Sequence, residues 1–150
     1  MDKSEEGRRA LVDFREATRE LEDAYSLFPK SCGLSQAEYW SLVLIYEGAV
    51  TQSQISGQLY LSRQTLNSAI KQLREKGMLR LEPFERNQRS KQLLLTEKGR
   101  AFVEDHVARM HQVEERAWKG LTPEEQVLLT PLTRRFSGLI RQEMEAGQKE

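Results

Sequence analysis

Cysteine and histidine are scarce in this chain of 150 residues, which has one cysteine, Cys32, and two histidines. A single cysteine excludes an internal disulfide framework. His106 and His111 are five positions apart on a predicted helix, about 140° around its axis, so they do not share a face as a metal-binding i, i+4 pair does. We expect no metal site and no cofactor.

Long apolar runs and catalytic patterns are also missing. The longest run, Leu42–Tyr46, is far too short to cross a membrane, and the N-terminal MDKSEEGRR has no apolar stretch behind its charges. We therefore expect a cytoplasmic protein with no membrane partner. The sequence has no glycine-rich phosphate loop, no cluster of metal ligands and no Ser, His and Asp set in a catalytic context, so an enzyme is not expected.

The net charge is zero, with 23 basic and 23 acidic residues, but the charge is unevenly distributed. Segment 51–91 holds eight basic and three acidic residues, which gives +5, and the rest of the chain carries −5. A basic balance confined to one segment is typical of a phosphate-binding surface.

The centre of this basic segment is a predicted amphipathic helix in Leu61–Gly77, LSRQTLNSAIKQLREKG. Ser62 is a favourable N-cap, and Gly77 stands where helices commonly end in a left-handed residue. One face has apolar residues at helical spacing: Leu66, Ala69, Ile70 and Leu73. The opposite face lacks carboxylates and suits nucleic acid: Arg63, Gln64, Asn67, Ser68, Lys71 and Arg74.

Two capping boxes, each starting a helix, precede it: Ser35 with Glu38, and Thr51 with Gln54. The first predicts a helix over 36–48 and the second a short helix over 52–58. Between the short helix and the Ser62 cap lie Tyr60 and Leu61, a spacing that indicates two helices crossing through a tight turn. This is the arrangement of a helix-turn-helix.

Beyond these helices the periodicity becomes that of strands. Met78–Pro83 and Lys91–Leu95 are two short strand-like runs, and Phe84–Ser90 between them is polar and long enough to project. We predict a β-hairpin with the basic side chains Arg86 and Arg89 at its tip. A hairpin directly behind a recognition helix makes the segment a winged helix-turn-helix.

Long helices are predicted at both ends of the chain. Residues 8–29 have apolar residues at heptad spacing, which indicates packing either against a second copy of the chain or against the chain's own core. Pro29 and Gly33 are expected to end this helix. A helix over 97–120 and another after the Thr122 cap follow the hairpin, and Pro131 should kink or interrupt the last one.

These residues resemble the MarR (multiple antibiotic resistance regulator) family of transcriptional regulators. The resemblance rests on TQSQISGQLYLSRQTLNSAIKQLREKGMLRLEP, on the wing ending NQRSKQLLLTEKG, and on the two long closing helices. It implies a mainly α fold with a small β-hairpin wing: one domain over 1–150, with 51–96 as the winged helix-turn-helix lobe and 8–48 and 97–146 as core and dimerisation helices. It also implies an obligate homodimer on a near-palindromic operator.

The expected DNA contacts lie on the polar face of the recognition helix and on the wing: Ser62, Arg63, Gln64, Asn67, Ser68, Lys71, Arg74, Arg86, Arg89 and Lys91. The resemblance implies a dimer interface in the first and the last two helices, which we assign to Leu11, Phe14, Leu21, Phe136, Leu139 and Ile140. It further implies a small aromatic or lipophilic effector near four aromatic residues that are more simply explained as core: Tyr25, Phe28, Tyr39 and Trp40.

Two positions depart from the family pattern. Where the family usually has Asp-x-Arg in the wing, this chain has Asn87-Gln88-Arg89, so we expect Arg89 to lack an ionic anchor. Tyr60 stands where glycine is common, and a positive φ there would be strained.

Cys32 raises a separate hypothesis, because oxidant sensing is known in the family. The residue follows Lys30 in a predicted loop, which could lower the thiol pKa. Without a second cysteine in the chain, oxidation would give an intermolecular disulfide or a mixed adduct.

The residues therefore predict a regulator that binds double-stranded DNA sequence-specifically, and the resemblance implies that it acts as a homodimeric, ligand-responsive repressor. One alternative stays open, a winged helix that docks proteins instead of DNA. Such a module would present an exposed apolar patch in place of the basic wing.

Overall fold

The computed structural model describes residues 2–149, apart from the side chain of Gln88. Its elements in chain order are α1 (Lys3–Ser31), α2 (Gln36–Tyr46), α3 (Gln52–Leu59), α4 (Arg63–Glu75), β1 (Leu79–Phe84), β2 (Asn87–Leu95), α5 (Glu97–Lys119) and α6 (Pro123–Gln148). This confirms the predicted fold class, mainly α with a β-hairpin wing. None of the helices described is long and apolar enough to cross a membrane.

Side-chain caps start the helices where the sequence predicts them. The Ser35, Thr51 and Thr122 hydroxyls each accept a hydrogen bond from the backbone N–H three positions on, and the side-chain oxygen at that position accepts one from the backbone N–H of the cap residue. Ser62 caps α4 by accepting from the backbone N–H of Thr65. Because each cap satisfies N–H groups that have no partner within the helix, it contributes about 1 kcal/mol.

Helices α1 and α4 end in the same hydrogen-bonding motif. In α1, Gly33 has a φ of 69°, and the N–H of Leu34 donates back to the carbonyl of Pro29. Gly77 after α4 has a φ of 75° and an equivalent backward bond follows it. Glycine adopts this left-handed conformation without steric cost, which explains its presence at both sites.

The prolines interrupt their helices less than the sequence predicts. Pro29 does not end α1, because the helix continues to Ser31, whereas Gly33 lies just beyond its end as predicted. The Pro29 ring is fully buried, so apolar burial offsets the hydrogen bond that proline removes. The helix does not restart at Pro131, because α6 is a single helix from Pro123 to Gln148, and a kink at Pro131 stays a prediction.

The hairpin is tighter than the sequence suggests. β1 and β2 are antiparallel, and Glu85 and Arg86 form the turn between them. The expected projecting loop over 84–90 is therefore wrong, because β2 already begins at Asn87. The register moves from Pro83 opposite Lys91 to Phe84 opposite Asn87, so residues 88–90 form a bulge in β2.

The chain divides into two compact units, one ending at Ala108 and the other beginning at Arg109. In the first unit α2 lies at the centre and contacts α1, α3, α4 and β2. The fully buried side chains of this first unit include Tyr39, Leu42, Ile55, Leu66, Leu73, Leu93, Val103 and Val107. The hairpin is tied to this core, because the N–H of Leu93 donates to the carbonyl of Val50 at 2.8 Å. The domain division expected from the sequence stays a prediction.

Candidate nucleic-acid interface

The polar face of α4 is exposed as predicted, while its apolar face is buried. Within the part of the chain that is described, five of its polar side chains have no hydrogen-bond or ion-pair partner: Arg63, Gln64, Ser68, Lys71 and Arg74. Ser62 is different, because its hydroxyl accepts from the N–H of Thr65 and donates to the Thr65 hydroxyl at 2.8 Å. Its capping role therefore uses part of the capacity expected for base contacts.

A groove of about 310 Å³ separates α4 from α3. Arg63 and Asn67 of the predicted set line it on one side, and Gln52, Ser53 and Ser56 of α3 line the other. The Nε2 of Gln52 donates to Oδ1 of Asn67 at 2.7 Å, so the two helices are linked across the groove. Gln52 is not among the DNA contacts predicted from the sequence, although its predicted place in the first turn of the preceding helix could have indicated that it lies near α4.

A second cleft, of about 420 Å³, lies between α4 and the start of α2. Gln64, Ser68 and Gln72 line it on the α4 side. Gln72 is not among the predicted DNA contacts, although it continues the i, i+4 row of Gln64 and Ser68. The opposite wall comes from Ser35, Ala37 and Glu38. The predicted face thus consists of two rows, one beside α3 and one beside α2.

On the wing, the basic residues occupy different positions. Arg86 is in the turn, Arg89 in the bulge and Lys91 in the regular ladder opposite Pro83, and all three are exposed. Asn87 holds the bulge by accepting the Arg89 backbone N–H at 3.1 Å through Oδ1 and donating to the Ser90 hydroxyl through Nδ2 at 3.2 Å. The amide therefore orders the backbone of Arg89, while the guanidinium has no carboxylate partner among the described residues.

The residues assigned to a dimer interface are exposed apolar side chains. Leu11, Phe14 and Leu21 lie on α1, and Leu21 is 60% exposed. Phe136, Leu139 and Ile140 lie on α6, which has no buried residue within the described range and also exposes Val127 at 71%. These apolar rows have the character of surfaces that another chain covers.

The four residues of the predicted effector site form one aromatic cluster. Tyr39 is buried and its ring centre is 5.2 Å from that of Trp40, at an interplanar angle of 90°. Tyr25 packs edge-on against Trp40 at 5.7 Å, and Phe28 stacks on Tyr39 at 6.5 Å. The structure brings the four residues together, in an arrangement that also serves as core packing between α1 and α2.

The expectation of a low Cys32 pKa was wrong. Cys32 is the C-cap of α1 and lies in the turn that follows this helix, and burial raises the pKa of its thiol. The N–H of Leu34 and the charge of Lys76 lower that pKa, but the loss of solvation outweighs them. The thiol instead donates to the carbonyls of Phe28 and Pro29 at 3.5 and 3.4 Å.

Comparisons with known proteins agree with this arrangement. The MarR family model matches residues 33–90. YybA from Bacillus subtilis (strain 168), described as an uncharacterized HTH-type transcriptional regulator, is 29% identical over 132 residues, which are 87% of this chain and 88% of that protein. NMB1585, a MarR family regulator from Neisseria meningitidis, matches with a TM-score of 0.80 at 17% identity over 92% of this chain and 98% of its own.

One protein of similar structure has a DNA-binding activity that a small molecule regulates. Bordetella bronchiseptica BpsR, whose DNA binding is regulated by 6-hydroxynicotinic acid, matches with a TM-score of 0.67 at 22% identity, covering 83% of this chain and 89% of its own. At these identities, the two structural matches establish a shared fold.

Proposed function

We propose that this chain belongs to the MarR family, and that it is a repressor that binds a near-palindromic DNA operator as a homodimer and responds to a small aromatic or lipophilic ligand. The observation that carries the proposal is the exposed polar face of α4. In the described residues its arginine, lysine and Gln64 side chains have no hydrogen-bond or ion-pair partner, and Asn67 is bonded to Gln52. Such a face, followed by a basic wing, matches the requirements of the major groove and the flanking phosphates.

The division of labour follows from position. Arg63, Gln64 and Asn67 lie in the first turns of α4, where a recognition helix reaches base edges, and arginine and amide side chains form bidentate pairs with guanine and adenine. Lys71 and Arg74 lie further along the helix and suit phosphate. On the wing, Arg86 and Arg89 would flank the minor groove and contact its phosphates, which adds affinity without reading the base sequence.

The homodimer is supported by the apolar rows on α1 and α6. A helix of 26 residues with no buried side chain among those described leaves its row of leucine and isoleucine side chains about half exposed. Covering apolar surface contributes roughly 25 cal/mol per Å², so a second copy that covers both rows would gain substantial stability. A twofold pair would also place two copies of α4 on two half-sites.

The ligand response is supported by the aromatic cluster of Tyr25, Phe28, Tyr39 and Trp40, and by the likeness to BpsR. A ligand that binds one dimer geometry better than another would change operator affinity by that difference. 6-Hydroxynicotinic acid is the first probe, since it is a small aromatic acid. If a panel of such acids leaves the affinity for DNA unchanged, this part of the proposal fails.

Selection of bound duplexes from a random library tests the function itself. We expect an enriched near-palindrome whose half-sites are about one helical turn apart, bound by two chains per duplex. If no motif is enriched, the chain is not a sequence-specific regulator, and the protein-docking winged helix becomes the better explanation.

A further inference from the structure

Gln52 and Asn67 join the first helix of the helix-turn-helix to the recognition helix. They are 15 positions apart in sequence, and the Nε2 of Gln52 donates to Oδ1 of Asn67 at 2.7 Å. Gln52 is half-buried at the start of α3, and Asn67 is exposed one turn into α4. Because Arg63, Gln64, Ser68 and Lys71 have no such partner in the described residues, Asn67 differs from them in having its side chain oriented by the protein.

We infer that Gln52 is a positioning residue for base readout, which holds the Asn67 carboxamide in the one orientation that pairs with adenine. The inference rests on the proposed function, since it concerns how the same surface reads DNA. It assigns a role in specificity to α3, whose residues were not among the predicted DNA contacts.

The Asn67 carboxamide has an accepting oxygen and a donating nitrogen, so its orientation decides which base it can pair with. Adenine presents an acceptor, N7, beside a donor, the N6 amino group, so a paired asparagine has its oxygen at N6 and its nitrogen at N7. A carboxamide turned by half a rotation meets donor with donor and acceptor with acceptor. The Oδ1 of Asn67 can accept two hydrogen bonds, so the bond from Gln52 leaves one lone pair for N6 and leaves Nδ2 for N7.

The bond contributes little to folding, because an exposed amide pair exchanges bonds to water for a bond to each other. Its effect falls on binding, since a side chain that is already oriented loses less freedom on the DNA. Ordering one flexible side chain changes an equilibrium by about two- to thirteen-fold. We therefore expect Gln52→Ala to lower affinity for the preferred duplex by that factor and to leave the affinity for a duplex lacking the adenine nearly unchanged.

The experiment starts from the duplex that the wild-type protein selects from a random library. Asn67→Ala identifies the base pair whose preference depends on Asn67. The ratio of affinities for that duplex and for one with the adenine replaced by guanine is then measured for the wild type, Gln52→Ala, Gln52→Glu and Gln52→Ala combined with Asn67→Ala. Gln58→Ala, an exposed glutamine of the same helix, is the control.

Gln52→Glu gives the sharpest test. A carboxylate accepts but does not donate, so it would turn Nδ2 of Asn67 towards α3 and Oδ1 into the groove. The added charge weakens both duplexes alike, whereas the reversed amide should reduce the ratio further than Gln52→Ala does. Thermal melting of each variant shows whether the fold is retained.

The outcomes separate the inference from the function on which it rests. The inference holds if Gln52→Ala lowers the ratio of the two affinities in the wild-type background and leaves this ratio unchanged in the Asn67→Ala background. It is overturned if Gln52→Ala weakens both duplexes equally, which a phosphate contact or a loosened α3 would do, or if it has no effect. If the wild type selects no motif, the proposed function fails and this inference fails with it.

Discussion

Glu38 and Lys76 form an ion pair with 2.6 Å between the carboxylate Oε2 and the ammonium nitrogen. Glu38 belongs to the capping box at the start of α2, and its Oε1 accepts from the N–H of Ser35 at 3.4 Å. Lys76 is the C-cap of α4. The pair therefore links the end of α4 to the beginning of α2, the central helix of the first unit.

Removing the cation from this pair should destabilise the fold. The Glu38 side chain is 9% exposed and that of Lys76 is 37% exposed, so Lys76→Met leaves a largely buried carboxylate without its counter-ion. We expect a loss of about 1–3 kcal/mol, less than for a fully buried pair because water reaches the lysine. Urea denaturation at fixed protein concentration measures the change.

Two further variants control this measurement. Glu38→Gln keeps an acceptor for the cap and should be milder than Lys76→Met. Lys119→Met, which breaks the exposed pair with Glu115, should leave the midpoint unchanged. Equal midpoints for Lys76→Met and the wild type would show that the pair does not hold α4.

Tyr60 ends α3 in the left-handed conformation, with φ 54° and ψ 34°, and its side chain is 80% exposed. A residue with a Cβ is strained there by roughly 1–2 kcal/mol, whereas glycine is not. Tyr60→Gly should therefore be more stable than Tyr60→Ala by about 1 kcal/mol, part of the strain relief being offset by the greater freedom of glycine in the unfolded chain. Because both variants lack the tyrosine ring, the difference between their stabilities does not include the loss of the ring. An alanine variant as stable as the glycine variant would refute the strain.

Cys32 should be a slow nucleophile at neutral pH. The thiolate is the reactive form, and burial raises the pKa of this thiol above its ordinary value, so the protonated form persists to higher pH. Alkylation by iodoacetamide should be slower in the folded protein than in the urea-unfolded protein at pH 7.5, and its rate should rise at a higher pH than for free cysteine. Faster alkylation in the folded state would restore the hypothesis of an oxidant sensor.

The last helix should govern assembly. Replacing both Leu139 and Ile140 by glutamate puts two charges into the apolar stripe of α6, where burial against a second copy would require their desolvation. We expect this variant to sediment as a monomer and to lose operator affinity. Gln148→Glu introduces a charge on the opposite side of the same helix, about 180° around its axis from Leu139, and should leave the dimer intact. A monomeric wild type would contradict the homodimer.

What could be predicted from the sequence depends on the range of the interactions involved. The capping boxes at Ser35, Thr51 and Thr122 and the left-handed Gly77 involve neighbours within a few residues, and all were predictable. The continuation of α1 through Pro29 depends on tertiary burial that a local rule about proline does not contain. The bulge at 88–90 depends on the pairing register of two strands.

The candidate site shows the same limit. The exposed face of α4 follows from its period, so its members could be named in advance. The contact between Gln52 and Asn67 depends on the angle at which α3 crosses α4, and the reversal of the Cys32 pKa depends on what covers the thiol. Neither quantity is encoded in local spacing.

If α4 reads bases while the wing binds the backbone, Arg63→Ala and Arg89→Ala should affect DNA binding in different ways. Affinities are measured for the selected duplex and for a scrambled duplex over a range of salt concentrations. Loss of a bidentate contact to a base should cost about 1–3 kcal/mol on the selected duplex alone, so Arg63→Ala should bring the two affinities together.

Loss of a phosphate contact should weaken both duplexes equally and reduce the slope of log K against log salt by about 1, which is the result expected for Arg89→Ala. If Arg63→Ala instead weakens both duplexes to the same extent, or if Arg89→Ala leaves the salt slope unchanged, the account is contradicted.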